Sequence, residues 1–195
     1  MNRLTKTTIP LVAVLSLCNF TANAATVSLD YTLPTPDAAG VLAPTSTTGT
    51  VGLNVIGNDY GGSPQSKSPW DTTIYEATGK YNSVYGGATA TYLFSVDQTE
   101  FSLMWGSPDD YNTLEFFNDG GSVFSIVGTA VGPPISFGFV NVSVTDLVFD
   151  KVVFSTQDDS FEYAKLAPVP IPAAAWLFGS GLLGLIGIAR RNKNS

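Results

Sequence analysis

Between residues 25 and 167 no stretch keeps a helical period, and alternation of apolar with polar side chains dominates. That spacing constrains the chain more than any other feature, because a period of two sends successive side chains to opposite faces of a strand. Ala90, Tyr92, Phe94 and Val96 point one way while Thr89, Thr91 and Ser95 point the other. Phe101, Leu103 and Trp105 repeat the pattern, as do Val140, Val142 and Val144 against Asn141, Ser143 and Thr145. Further strands are expected at residues 123–127, 147–154 and 161–166. Turn signals separate them: Gly106-Ser107-Pro108-Asp109-Asp110, Asn118-Asp119-Gly120-Gly121, Gly132-Pro133-Pro134 and Gln157-Asp158-Asp159. Short strands so spaced predict an all-β domain, a β-sandwich of jelly-roll type. Residues 34–69 differ, being rich in Pro, Gly, Ser and Thr with one strand expected at 51–56. They read as long loops over the sandwich, where recognition concentrates.

The two ends carry a different pattern. Arg3 and Lys6 precede an apolar run at residues 9–20, and Ala22-Asn23-Ala24 follows as an A-x-A cleavage site. Residues 1–24 therefore read as a signal peptide, cut by signal peptidase so that Ala25 opens the mature protein. The apolar run is too short to serve comfortably as an uncleaved anchor. Leu17 stands before Cys18 where lipid attachment requires a small residue, which argues against a lipoprotein. At the other end residues 173–189 carry no charge, and Arg190, Arg191 and Lys193 follow at once. Counted from Ile171 the run approaches the roughly 20 residues that cross a bilayer, and the basic cluster is a stop-transfer signal kept in the cytoplasm. Gly179, Gly181, Gly184 and Gly187 make this segment a poor helix in water, so a transmembrane helix is expected rather than a core helix.

All 16 carboxylates lie between Asp30 and Glu162, against only Lys67, Lys80, Lys151 and Lys165. A body of that sign repels nucleic acid and favours cations or neutral ligands. There is no histidine, and the single cysteine is Cys18 in the leader. The body thus lacks the side chains for a serine triad, thiol catalysis or an ordinary zinc site. Carboxylate chemistry survives. Asp109, Asp110, Glu115, Asp158, Asp159 and Glu162 could supply a glycosidase pair, though their setting in turns fits solubilising roles better. Asp109, Asp110, Asp119, Asp158 and Asp159 are oxygen donors of the kind calcium takes, but no EF-hand spacing is present, and solvated turns are favoured. No other cofactor is implied. Tyr60 and Trp70, in the loop-rich region, are candidate glycan contacts, since sugar rings stack on exposed aromatic faces; Trp105, in an alternating strand, reads as core.

Val169-Pro170-Ile171-Pro172, then the uncharged run through Ala173-Ala174-Ala175-Trp176-Leu177-Phe178-Gly179-Ser180-Gly181, then Arg190-Arg191, resembles the PEP-CTERM sorting signal. More narrowly it resembles the VPLPA-CTERM variant, with Ile171 where that variant has Leu and where the Pro-Glu-Pro core has Glu. The resemblance covers residues 169–195 and is specific, because motif, span and basic stop occur in order. It implies recognition by an exosortase, a membrane protease-transpeptidase of Gram-negative bacteria, and association with exopolysaccharide and biofilm. On this reading the domains are a signal peptide at 1–24, a surface domain at 25–167 and a sorting segment at 168–195.

Trp105-Gly106-Ser107-Pro108-Asp109-Asp110-Tyr111-Asn112-Thr113-Leu114-Glu115-Phe116 resembles a W-G-S-x-D-x-Y-N-x-[IL]-x-F stretch of one family of exosortase-dependent surface proteins, whose last strand is similar to Phe161-Glu162-Tyr163. It implies a β-sandwich without an assigned activity. The expectation for the whole chain is an exported, exosortase-processed protein of the cell surface or matrix. Its middle domain is expected to be non-enzymatic and to have a structural or adhesive role. The alternatives are a secreted carbohydrate-binding module and a carboxylate-dependent glycosidase.

Overall fold

The computed structural model describes residues 24–59, 65–131 and 138–170. Its strands are β1 (Thr26–Asp30), β2 (Ser46–Thr48), β3 (Val51–Ile56), β4 (Lys80–Val84), β5 (Thr89–Gly106), β6 (Asn112–Asn118), β7 (Gly121–Val127), β8 (Phe139–Thr145), β9 (Phe149–Thr156) and β10 (Phe161–Pro170). The fold is all-β, and every strand pairing is antiparallel. No helix among the described residues is long and apolar enough to cross a membrane; residues 173–189 lie outside them.

β5 organises the sheet. Two runs of alternation expected as separate strands are one strand of 18 residues. Its first half lies between β2 and β9, its second half between β10 and β8. Register breaks between Leu93 and Gln98, and the buried positions change from even (Ala90, Tyr92) to odd (Phe101, Leu103, Trp105). A strict period of two cannot change parity, so the break turns the strand from one part of the sheet into the other. One part runs β3-β4-β10-β5-β8-β1, the other β2-β5-β9-β6-β7.

The inner sides of these two parts meet in an aromatic core. Phe154 of β9 stacks on Tyr163 of β10 with ring centroids 4.0 Å apart. Phe101 of β5 meets Phe116 of β6 and Phe149 of β9 edge-on, at 5.5 and 5.9 Å. Such geometries add about 0.5–1.5 kcal/mol per pair beyond the area they bury. Between β6 and β7 the chain turns through Asp119 and Gly120 at φ 50° and 80°, the left-handed pair that a two-residue hairpin with the correct twist requires.

Several elements depart from the sequence expectation. β1, β2, β4 and β6 are not among the expected strands, and the loop-rich segment contains β2 and an isolated bridge between Asp59 and Ser66 beside the expected β3. β10 runs past the boundary expected at residue 167, pairing Pro168 with Phe101, Val169 with Glu100 and Pro170 with Gln98.

Candidate functional site

Trp105-Gly106 closes β5, and the residues after it fold back to open β6. Register sets Trp105 opposite Tyr163 and Gly106 opposite Glu162. Alternation then sends Trp105, Phe161 and Tyr163 to the core side and Glu162 to the other face. Trp105 is fully buried and stacks on Phe161, centroids 4.3 Å apart. Gly106 answers to crowding: a Cβ there would lie 2.8 Å from Pro69 Cγ and 3.1 Å from Glu162 Cβ. Beyond it, the Asn112 amide N–H donates to the Asp109 carbonyl at 3.2 Å, and Asn112 Nδ2 donates to the Ser160 carbonyl at 3.3 Å. The Tyr111 hydroxyl lies 3.0 Å from both Asp109 Oδ2 and the Asp159 carbonyl. The W-G-S-x-D-x-Y-N stretch is thus a clamp on the start of β10.

Glu162 stands at the centre of that clamp and is 2 % exposed. Its Oε1 accepts from the Lys67 amide N–H at 2.8 Å and from the Ser160 hydroxyl. Its Oε2 is buried without a hydrogen-bond partner, and so is the Oγ of Ser83, the residue opposite it in β4. Burial penalises the ionised carboxylate and pushes the group up to about 8, against the opposing pull of the Ser160 and Lys67 hydrogen bonds. At neutral pH the protonated acid prevails. Burial also raises Asp109 and the Tyr81 and Tyr111 phenols. The segment over Glu162 is pinned on both sides of Lys67. Ser66 Oγ lies 3.0 Å from the Tyr81 hydroxyl, and Trp70 Nε1 donates to the Pro34 carbonyl at 3.0 Å. Chemically the arrangement holds a proton and a loop.

No protein-family model, curated protein or solved structure matches the chain.

The residues singled out in the sequence fall into separate places. Trp70 corrects one expectation: it is fully buried, so it offers no face to a sugar. Its partner in that expectation, Tyr60, lies outside the described residues. The five aspartates considered for calcium do not converge. Asp119 sits at the far end of β6 from Asp109, roughly 23 Å along the strand. Asp159 spends both oxygens on backbone amides, Oδ1 on Gly86 at 2.9 Å and Oδ2 on Gln65 at 3.1 Å. Asp158 Oδ1 accepts the Asp159 amide at 2.9 Å, and Asp110 is exposed. Among the described residues no three acidic side chains are grouped to hold a metal ion.

Of the targeting residues, Ala24 is exposed just before β1, and Val169 and Pro170 end β10. Ala22, Ile171, Pro172, Arg190, Arg191 and Lys193 lie outside the described residues. Sequence reasoning missed Ser160 and the Lys67 amide as partners of Glu162, and Ser83 as the residue opposite it. The available signal was one carboxylate between two aromatics, Phe161 and Tyr163, in a strand otherwise apolar over Phe161 to Ala164.

Proposed function

We propose that this chain is an exported, exosortase-processed protein of the cell surface or extracellular matrix of a Gram-negative bacterium. Its body is a non-enzymatic, jelly-roll-like β-sandwich with a structural or adhesive role alongside exopolysaccharide. Signal peptidase removes residues 1–24, residues 173–189 hold the precursor transiently in the inner membrane as a helix, and exosortase reads Val169-Pro170-Ile171-Pro172. One observation carries this reading. Among the described residues the sheet runs from Thr26, two residues after the A-x-A site, to Pro170, the last described residue. A strand sheet that spans the interval between the two proposed signals supports this reading.

The clamp around Glu162 supports a structural role for the stretch that resembles one in surface proteins, because its contacts from Tyr111 to Asp159, Asn112 to Ser160 and Lys67 to Glu162 tie distant segments together. A glycosidase reading has one foothold, a carboxyl held as an acid near neutral pH, and it requires the 65–71 segment to move off Glu162.

The test is an immunoblot of membrane and extracellular fractions from a host with an exosortase, beside a strain lacking it. The wild-type chain should lose its tail and leave the membrane only in the first strain. Pro170→Ala with Pro172→Ala should leave export intact and trap an unprocessed membrane form. Processing of that double variant at the wild-type level would mean that the tail is an ordinary anchor.

A further inference from the structure

We infer that residues 65–69 form a strap over Glu162 that a proton on its carboxyl keeps shut, so that ionisation of Glu162 lifts the strap while the sheet stays folded. The other covers of Glu162 belong to strand ladders. β10 carries it between β4, where Ser83 stands opposite, and β5, where Gly106 does. β4 is bonded on its far side to β3, and β5 to β8. To move any of these strands breaks a run of backbone hydrogen bonds. The strap is held differently. The amides of Gln65, Lys67 and Ser68 go to side chains: Asp159 Oδ2 at 3.1 Å, Glu162 Oε1 at 2.8 Å and Asn58 Oδ1 at 2.7 Å. Ser66 pairs with Asp59 in an isolated bridge, and its Oγ lies 3.0 Å from the Tyr81 hydroxyl. Local opening takes the least tightly held element of a neighbourhood, and here that element is the strap. Trp70, fully buried with its indole N–H on the Pro34 carbonyl, is the fixed end about which it swings.

Glu162 drives the opening. An ionised carboxylate offers two oxygens that both call for donors. Under the closed strap Oε1 takes the Lys67 amide and the Ser160 hydroxyl, while Oε2 is buried without a partner. A neutral acid tolerates that enclosure; an anion does not. The titratable groups on every side leave the charge uncompensated. Tyr81 and Tyr85 come from β4 and the residue after it, Asp109, Asp110 and Tyr111 from the β5–β6 connection, and Asp158 and Asp159 from the β9–β10 turn. Asp59 is bridged to Ser66, and the strap brings Lys67, whose ammonium lies 3.4 Å from Asp71. Burial raises the Tyr81 and Tyr111 phenols, which stay neutral, and the charge of Asp109 opposes ionisation of Glu162.

The direction of the effect follows from where the proton binds best. Lifting the strap admits water to Glu162, and its carboxyl returns towards the ordinary value of 4.5 from about 8. The closed form therefore holds the proton more tightly than the open one. Opening is least below about pH 4.5, grows as the pH climbs to about 8, and levels off above it. What it presents to solvent is the Glu162 carboxylate beside the hydroxyl of Ser83.

Hydrogen–deuterium exchange of the full chain, corrected at each pH for the intrinsic exchange rate, tests this. One reporter peptide contains Gln65 to Pro69, and the reference peptide comes from β8. The strap peptide should lose protection by roughly tenfold or more between about pH 5 and pH 8 and then level off. At each pH it should be protected at least about tenfold less than β8, because the strap opens without the sheet. Glu162→Gln keeps an acceptor for the Lys67 amide and removes the titration, so its strap protection should not change with pH. Protection of the wild-type strap that is level with pH, a fall that persists in Glu162→Gln, or protection equal to that of β8 overturns the proposal. If circular dichroism shows Glu162→Gln unfolded, Ser160→Ala decides in its place. Loss of the hydroxyl that donates to Glu162 favours the protonated acid, so levelling-off should move to higher pH. Levelling-off at the wild-type pH overturns the proposal.

Discussion

Glu162 shows how much one residue can set the behaviour of this fold. Its proton affinity is raised above the ordinary carboxylate value, so the folded state holds the proton more tightly than the unfolded chain does. Its contribution to stability is complete below about pH 4.5 and is lost as the pH climbs to about 8, levelling off above. Across that window stability falls as the pH rises. Glu162→Gln keeps the acceptor for the Lys67 amide and removes the titration. Its melting temperature should stay nearly level between pH 5 and 8 while that of wild type falls; two parallel curves would mean that Glu162 is ionised throughout. Trp70 makes the complementary case. Flanked by Pro69 and Asp71, it carries no periodic signal and reads equally well as a surface platform. Its burial depends on Gly79, where a Cβ would lie 2.5 Å from the indole, and on the distant Pro34 carbonyl. Neither is visible from local sequence. Trp70→Ala should lower unfolding free energy by about 3–5 kcal/mol in a denaturant titration, as the loss of a buried indole does. An unchanged midpoint would return Trp70 to the surface.

Among the elements, β8 and the halves of β5 were legible from their alternation; β6 was not, although it alternates from Asn112 to Phe116, nor were strands that depend on distant partners. β8 alternates buried and partly exposed over the five residues from Val140 to Val144, and its register with β5 follows that pattern. β5 was legible in its two halves. The even parity of Ala90 and Tyr92 and the odd parity of Phe101, Leu103 and Trp105 already stand in the sequence, but their union into one bent strand requires both parts of the sheet. β1 is exposed along its whole length and is held by β8, so its existence rests on a partner more than a hundred residues away. β10 was legible as far as Leu166, where its apolar run ends; its continuation is set by β5. Prolines donate no ladder hydrogen bond, so Pro168 and Pro170 weaken that last stretch without abolishing pairing. A chain of residues 25–170 should therefore fold with a β-type spectrum and melt at a higher temperature than one of residues 25–167. Equal melting temperatures would show that the pairing of Pro168 to Pro170 contributes nothing.

For the whole molecule, the proposed reading has the ends specify address and the middle specify form. The proposed end signals consist of contiguous residues, which makes them readable without a fold. The clamp around Glu162 joins residues 66, 83, 106, 111 and 162, which only the folded sheet brings together. Calcium, considered from the turn aspartates, meets a structure in which Asp159 already serves two backbone amides. The central claim is that a folded body is cut out between two processing signals. The most direct test is the intact mass, with terminal peptides, of the mature protein from a host carrying an exosortase. The mature chain should begin at Ala25 and lack the segment that contains Arg190 and Arg191. A mature protein that begins at Met1, or that retains the peptide containing Arg190 and Arg191, would contradict it.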